Sequence, residues 1–281
     1  MANVSPSEFD ARAPEWPEHR AAILRMLNKV PEVTVYFWII KVLATTVGET
    51  AADYLGEHLN LSLTSVTYIM STLLVVALVF QFRSRSYTPA IYWVSVVLIS
   101  VVGTLITDNL VDHFGVSLKV TTAIFSAAML ATFAAWYRSE KTLSIHSIRT
   151  PKREAFYWSA ILFTFALGTA AGDLVAESLK LGYWKSAILF AGLIGLVAFA
   201  WRRAKLNAVL GFWIAYVLTR PLGASIGDYL SQVRKTGGLG FGTITTSALF
   251  LVTILVVVIY LTVTKKDQIP GSEDEILTAR A

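Results

Sequence analysis

After an opening of mixed polarity over residues 1–32, the chain settles into long apolar runs separated by short polar links. Eight such runs lie near 33–55, 64–82, 89–110, 119–137, 156–177, 184–201, 208–230 and 243–263. Each has roughly 20 residues, the length that carries an α-helix across a ~30 Å hydrocarbon layer. Backbone polar groups inside lipid must be satisfied within their own segment, so helices are expected and open strands are not. The pattern predicts an all-α integral membrane protein with eight transmembrane helices.

The polar links add an orientation. The opening tail carries Arg12, Arg20, Arg25 and Lys29, and the second link Arg83 and Arg85. Arg138, Lys141, Arg149, Lys152 and Arg153 follow in the fourth link, Arg202, Arg203 and Lys205 in the sixth, and Lys265, Lys266 and Arg280 at the end. The alternate links hold only Lys119, Lys180, Lys185, Arg234 and Lys235. Basic loops stay on the cytoplasmic side, which predicts that both termini are cytoplasmic. The opening tail has no apolar core of the signal-peptide kind. Its stretch Glu18–Val30 suits a short helix lying on the membrane surface, or equally a soluble tail with one amphipathic turn.

Composition agrees. Of the 281 residues, 55% are hydrophobic and 15% charged, against about 25% charged in soluble domains. The mean hydropathy of +0.59 excludes a disordered chain, a nucleic-acid module and most soluble enzymes. The net charge of +5 therefore reads as topology, and no nucleic-acid partner is expected. With no cysteine, disulfides and thiolate metal sites are excluded.

The runs also repeat. Trp38, Trp93, Trp158 and Trp213 each stand ten residues before a glycine, Gly48, Gly103, Gly168 and Gly223. Five residues after each glycine comes an aspartate, Asp53, Asp108, Asp173 and Asp228. Four matches to W-x9-G-x4-D, one in every odd run, predict four parallel two-helix repeats. These are placed at 33–86, 87–143, 156–206 and 207–264, with a cytoplasmic link at 144–155 and tails at 1–32 and 265–281. The even runs are plain apolar helices with hydroxyls near their outer ends, among them Thr67, Thr122 and Thr246. Parallel copies about an axis along the membrane normal are one arrangement used by transporters.

This unit, spread over about residues 30–265, resembles the bacterial multi-spanning membrane proteins built from a repeat of unknown function. The resemblance implies a multi-pass protein of the bacterial inner membrane, and it supplies no activity.

Candidate chemistry lies with the few charges inside the runs. An aspartate fifteen residues beyond the tryptophan lies ~22 Å further along a helix, so the four aspartates share one level. Charges in a span cost at least ~2.5–3.5 kcal/mol on insertion scales and usually face a cavity or a partner. A ring of carboxylates suits a hard divalent cation such as Mn²⁺, Mg²⁺ or Ca²⁺. Glu49, one turn before Asp53, is a fifth candidate ligand, and Lys41 and Arg220 are counter-charges within the spans. Arg220 has no counterpart in the other copies; it suits a salt bridge with a ring acid, or a tethered cation that fills the site. The competing reading makes the aspartates caps at helix ends, or partners of Lys119, Lys180, Lys185 or the even-run hydroxyls.

A second acidic row follows one turn later, with Glu57, Asp112 and Glu177 and, in the fourth copy, Gln232; His58 and His113 adjoin it. Imidazole with carboxylate suits Zn²⁺ or Mn²⁺, though solvated helix ends use the same residues. The repeat glycines allow close helix packing or a broken helix, and Pro221 makes the seventh run the candidate for a kink. The repeat tryptophans read as interfacial anchors. No hydrolase elbow, zinc-protease or phosphate-loop motif is present, so an enzyme is not expected. The expectation is a secondary transporter of a divalent cation, exchanging it for protons through the aspartate ring. It would need the lipid bilayer and a small cation and no resident cofactor, and nothing indicates an oligomer. The alternative is a non-transporting scaffold or sensor with structural aspartates.

Overall fold

A computed structural model describes residues 28–58 and 61–268 of the chain. Most of the stretch expected as a surface helix lies outside the described residues; its end, Asn28 to Val30, is non-helical and buried. Eight long helices follow: α1 (Val35–His58), α2 (Leu63–Arg83), α3 (Pro89–Asp108), α4 (Leu118–Glu140), α5 (Pro151–Asp173), α6 (Tyr183–Arg203), α7 (Ala208–Ser231) and α8 (Thr243–Thr264). No strand occurs among the described residues. Their starts are capped as the sequence allows. Ser62, Ser117 and Thr150 accept from Ser65, Val120 and Arg153 N–H groups, and Asn207 from Val209 and Leu210.

Seven of the eight are long and apolar enough to cross a membrane. The exception is α1, whose 24 residues include Lys41, Glu49, Asp53 and Glu57. Its surroundings explain how it carries them, because α3, α7 and α8 all pack against it. Burial separates two layers. In the most apolar stretch of α3, α5 and α7, 67%, 61% and 56% of residues are buried, against 11% in α2, α4 and α6 and 22% in α8. The odd helices form an inner ring in the order α1, α3, α5, α7 and back to α1.

Two columns of the repeat set the register of that ring. The residue before each tryptophan meets the tryptophan of the next repeat: Phe37 with Trp93 at 5.7 Å, Tyr92 with Trp158 at 5.6 Å, Tyr157 with Trp213 at 6.2 Å, and Phe212 with Trp38 at 5.7 Å between ring centres. Nearly three turns on, each repeat glycine faces the residue three before the next repeat's glycine. Side chains added at Gly48, Gly103, Gly168 and Gly223 would collide with Ser100, Phe165, Arg220 and Thr45 in turn. Matching contacts at both levels show that the odd helices run parallel, and that the glycines serve close approach. Pro221 lies inside α7, which stays helical through it, with Gly168 and Gly172 of α5 making room.

The even helices interlock the repeats. Each packs on the odd helix of the following copy, α2 on α3, α4 on α5 and α6 on α7, while α8 returns to close on α1. Their outward faces are apolar, as at Val75, Leu130, Leu196 and Leu255, which suits lipid contact.

One expectation is overturned here. Trp93, Trp158 and Trp213 are 2%, 3% and 5% exposed, so they pack the ring instead of anchoring it at the lipid interface. Trp213 donates to Leu143 O at 2.9 Å. Among the tryptophans of the described residues, Trp184 and Trp201, on α6, are the ones exposed as belt residues should be.

Candidate functional site

The ring axis is occupied by polar groups that the glycine contacts bring inward. One residue after each repeat glycine stand Glu49, Thr104, Thr169 and Ala224. The Arg220 side chain leaves α7 and reaches the first three of these. The two hydrogens of its Nη2 are shared among Glu49 Oε2 at 2.6 Å, Thr169 Oγ1 at 2.7 Å and Thr104 Oγ1, and Nη1 donates to Thr45 O at 3.1 Å. The guanidinium is therefore held by the other three inner helices at once, and Arg220 is fully buried. An arginine suits this place because its planar fork offers several donors in fixed directions. Of the two roles expected for Arg220, the salt bridge to an acid is present.

On one side of Arg220 the axis opens into a cavity of ≈ 330 Å³. All four repeat aspartates line it, with Glu49 and Thr107 deep in the site and Asp112, Glu177 and Gln232 further along the same helices. Among these, Glu49, Asp173 and Asp228 each present an oxygen within 4.8 Å of the other two. Asp53 and Asp108 line the same cavity outside that compact group. Glu49 and Asp228 are buried, and Asp53, Asp108 and Asp173 are half-buried.

The aspartates do not cap their helices. α1 and α7 continue past Asp53 and Asp228 to His58 and Ser231. α3 and α5 pass directly into π-helical turns, Asn109–His113 and Leu174–Ser178. A carboxylate, moreover, has no proton to give to the free carbonyls at a helix C-terminus, and it meets the negative end of the helix dipole there. No ion pair joins Asp108, Asp173 or Asp228 to Lys119, Lys180 or Lys185 among the described residues. The cavity thus gathers acids where helix dipoles add to their field.

The second row divides. Asp112 and Glu177 sit on the π turns at the cavity, and Tyr183 Oη donates to Glu177 Oε1 at 3.3 Å. His113 is exposed, stacks edge-on against Phe114 at 4.8 Å, and does not line the cavity. The side chains of Glu57 and His58 lie outside the described residues.

Lys41 lies elsewhere. It is 1% exposed, and its Nζ stands 3.7 Å from the centre of the Phe165 ring and 4.1 Å from that of Tyr216. Among the described residues it reaches no hydrogen-bond acceptor, and the two rings are stabilising contacts. The sequence reading missed Thr45, Thr104 and Thr169 as partners of Arg220. Setting the four repeats in register around each glycine exposes the column Glu, Thr, Thr, Ala, which marks the same level. Nothing in the sequence signalled the buried pair Lys29–Glu154, at 2.6 Å, which ties the opening segment to the start of α5.

Residues 36–87, 91–142, 156–207 and 211–267 match the family described as a repeat of unknown function (DUF347). No curated protein and no solved structure matches the chain.

Proposed function

The chain belongs to this family of four-repeat proteins, and we propose that it is a secondary transporter of a divalent cation such as Mn²⁺, exchanged for protons. The observation that carries the reading is the compact group Glu49, Asp173 and Asp228, with oxygens within 4.8 Å of one another on three different inner helices. Ligands facing each other across a hard divalent ion bound at ~2.0–2.6 Å stand ~4–5 Å apart, so these carboxylates fit one ion with small side-chain adjustments. Asp53 and Asp108 extend the negative field along the cavity and concentrate cations there.

Arg220 gives the site a defined floor. A cation at the three carboxylates competes with the guanidinium for Glu49, and a fixed positive charge beneath it opposes simple leakage along the axis. The basic links and tails support the reading that both termini are cytoplasmic in a bacterial inner membrane, an orientation in which the cavity would face outward.

The test is flux into proteoliposomes holding the purified full chain, with Mn²⁺ outside and a metal-quenched dye inside. Asp173→Asn and Asp228→Asn are expected to lower the rate by about tenfold or more while eluting as folded protein. A wild-type rate no greater than that of empty liposomes contradicts transport. A scaffold or sensor is the second reading, favoured by the way Arg220 bolts all four inner helices together. It predicts no flux and lowered folded yield in the same variants.

A further inference from the structure

The half of the axis beyond Arg220 carries hydroxyls that the packing does not require. The position before each repeat tryptophan is Phe37, Tyr92, Tyr157 and Phe212. All four make the same ring-to-tryptophan contact, so phenylalanine satisfies the geometry in two copies and tyrosine adds only an oxygen. Tyr92 and Tyr157 are fully buried, and burying a hydroxyl is costly unless it is paired. Their two oxygens lie 2.6 Å apart and pair with each other.

The series continues on both sides. Toward Arg220 lies Tyr216, fully buried, its ring 4.1 Å from Lys41 Nζ; among the described residues neither its hydroxyl nor that Nζ has a hydrogen-bond partner. Toward the tryptophan end lies Tyr87, its ring centre 5.6 Å from that of Tyr92 and its hydroxyl donating to Asp267 Oδ2 at 2.6 Å. Asp267 is buried just after α8, and its Oδ1 has no hydrogen-bond partner among the described residues. Ionisable groups held inside a membrane protein mark proton and ion paths, and a buried polar atom without a partner calls for an explanation.

We propose that Tyr216, Tyr157, Tyr92 and Tyr87 relay protons between Lys41 and Asp267, carrying the counter-ion of the exchange through the half of the ring that the cation cavity does not reach. The inference rests on the transport reading of the acid cavity. Each hydroxyl both donates and accepts, so a proton taken up on one side is matched by one released on the other, and no tyrosine is left charged. The Lys41 ammonium loses a proton to Tyr216, and the Asp267 carboxylate gains one from Tyr87. No direct hydrogen bond joins Lys41 to Tyr216, Tyr216 to Tyr157 or Tyr92 to Tyr87, so each of these passages takes a change of side-chain rotamer or a bridging water.

The terminal acceptor suits the role. Burial raises the Asp267 carboxyl above its ordinary range, against the opposing hydrogen bond from Tyr87, which brings it closer to exchange with protons near neutrality. Tyr87 is held up in turn by burial and by that carboxylate. Around Asp267 stand its chain neighbours Lys265 and Lys266, the Tyr87 hydroxyl, and Glu32, whose N–H donates to its backbone carbonyl.

The test is simultaneous measurement of Mn²⁺ uptake and internal pH in proteoliposomes of wild type, the double variant Tyr92→Phe with Tyr157→Phe, and Tyr68→Phe, an exposed control on α2. The double variant is expected to keep wild-type Mn²⁺ affinity and thermal stability, since phenylalanine already fills this position in two repeats. Its proton counterflux and its uptake driven by a pH gradient are expected to fall by about tenfold or more. Wild-type proton flux in the double variant overturns the relay. A wild type that moves Mn²⁺ without protons also overturns the relay while leaving the acid site in place. Absence of Mn²⁺ flux in the wild type contradicts the transport reading, and the relay with it.

Discussion

Arg220 is the residue on which the interior turns. Among the described residues its ion-pair partner is Glu49; the threonines of two other repeats and one carbonyl accept from the same two terminal nitrogens, and Nε is without a partner there. Breaking a buried pair from one side leaves the other charge stranded, at a cost of about 3–5 kcal/mol. Arg220→Met is therefore expected to lower the thermal midpoint of the detergent-solubilised protein by several degrees, and adding Glu49→Gln to restore part of the loss. Equal loss in the single and double variants would show that the arginine acts by shape and not by charge. At this scale the sequence was informative where a copy broke the pattern. Arg220, Lys41 and Glu49 stand out because their repeat-mates are apolar or hydroxylic. The threonines that hold Arg220 do not stand out, because a single threonine in a span satisfies itself on its own backbone, as Thr104 and Thr169 also do.

For the helices, position along the chain was legible and direction around each axis was not. The apolar runs located all eight, and the glycine spacing placed matching levels side by side. The tryptophans were misread because an aromatic near a helix end has the same spacing whether it faces lipid or a neighbouring helix. Only the ring of odd helices decides that they point inward. The π turns after Asp108 and Asp173 were equally hidden, since the local sequence is ordinary for a helix end; such turns recur at functional sites. Helix contact yields a graded prediction. A methyl group at Gly103 meets Phe165 Cβ at 2.8 Å and the Ala166 backbone nitrogen at 3.2 Å, and neither can move without shifting α5. At Gly192, on the outer face of α6, it meets nothing within 4 Å. Gly103→Ala is expected to destabilise clearly, and Gly192→Ala to be neutral or to stabilise by up to about 1 kcal/mol through helix propensity. Thermal melts of the two variants check the order.

As a whole the molecule is a closed ring in which no repeat packs mainly on itself. The duplication was legible in four copies of one motif, but the exchange of even helices between repeats was not, because short links permit either neighbour. Closure falls to α8, which docks on α1 and places Ser247 Oγ 2.6 Å from Thr50 Oγ1. The chain lacks cysteine, so Thr50→Cys with Ser247→Cys is a clean probe. Mild oxidation is expected to consume both thiols together, whereas persistence of two free thiols contradicts the closure. The ring in turn creates the site, because Glu49, Asp173 and Asp228 come from α1, α5 and α7 and meet only when the first and last odd helices are neighbours. The most direct measurement of the central claim is therefore equilibrium binding of Mn²⁺ to the purified full chain, followed by the loss of the free-ion paramagnetic resonance signal. The account predicts saturable binding that is abolished in the combined variant Glu49→Gln, Asp173→Asn and Asp228→Asn, and retained when His113→Ala is made instead. Binding that is absent from the wild type, or unchanged in the combined variant, contradicts it.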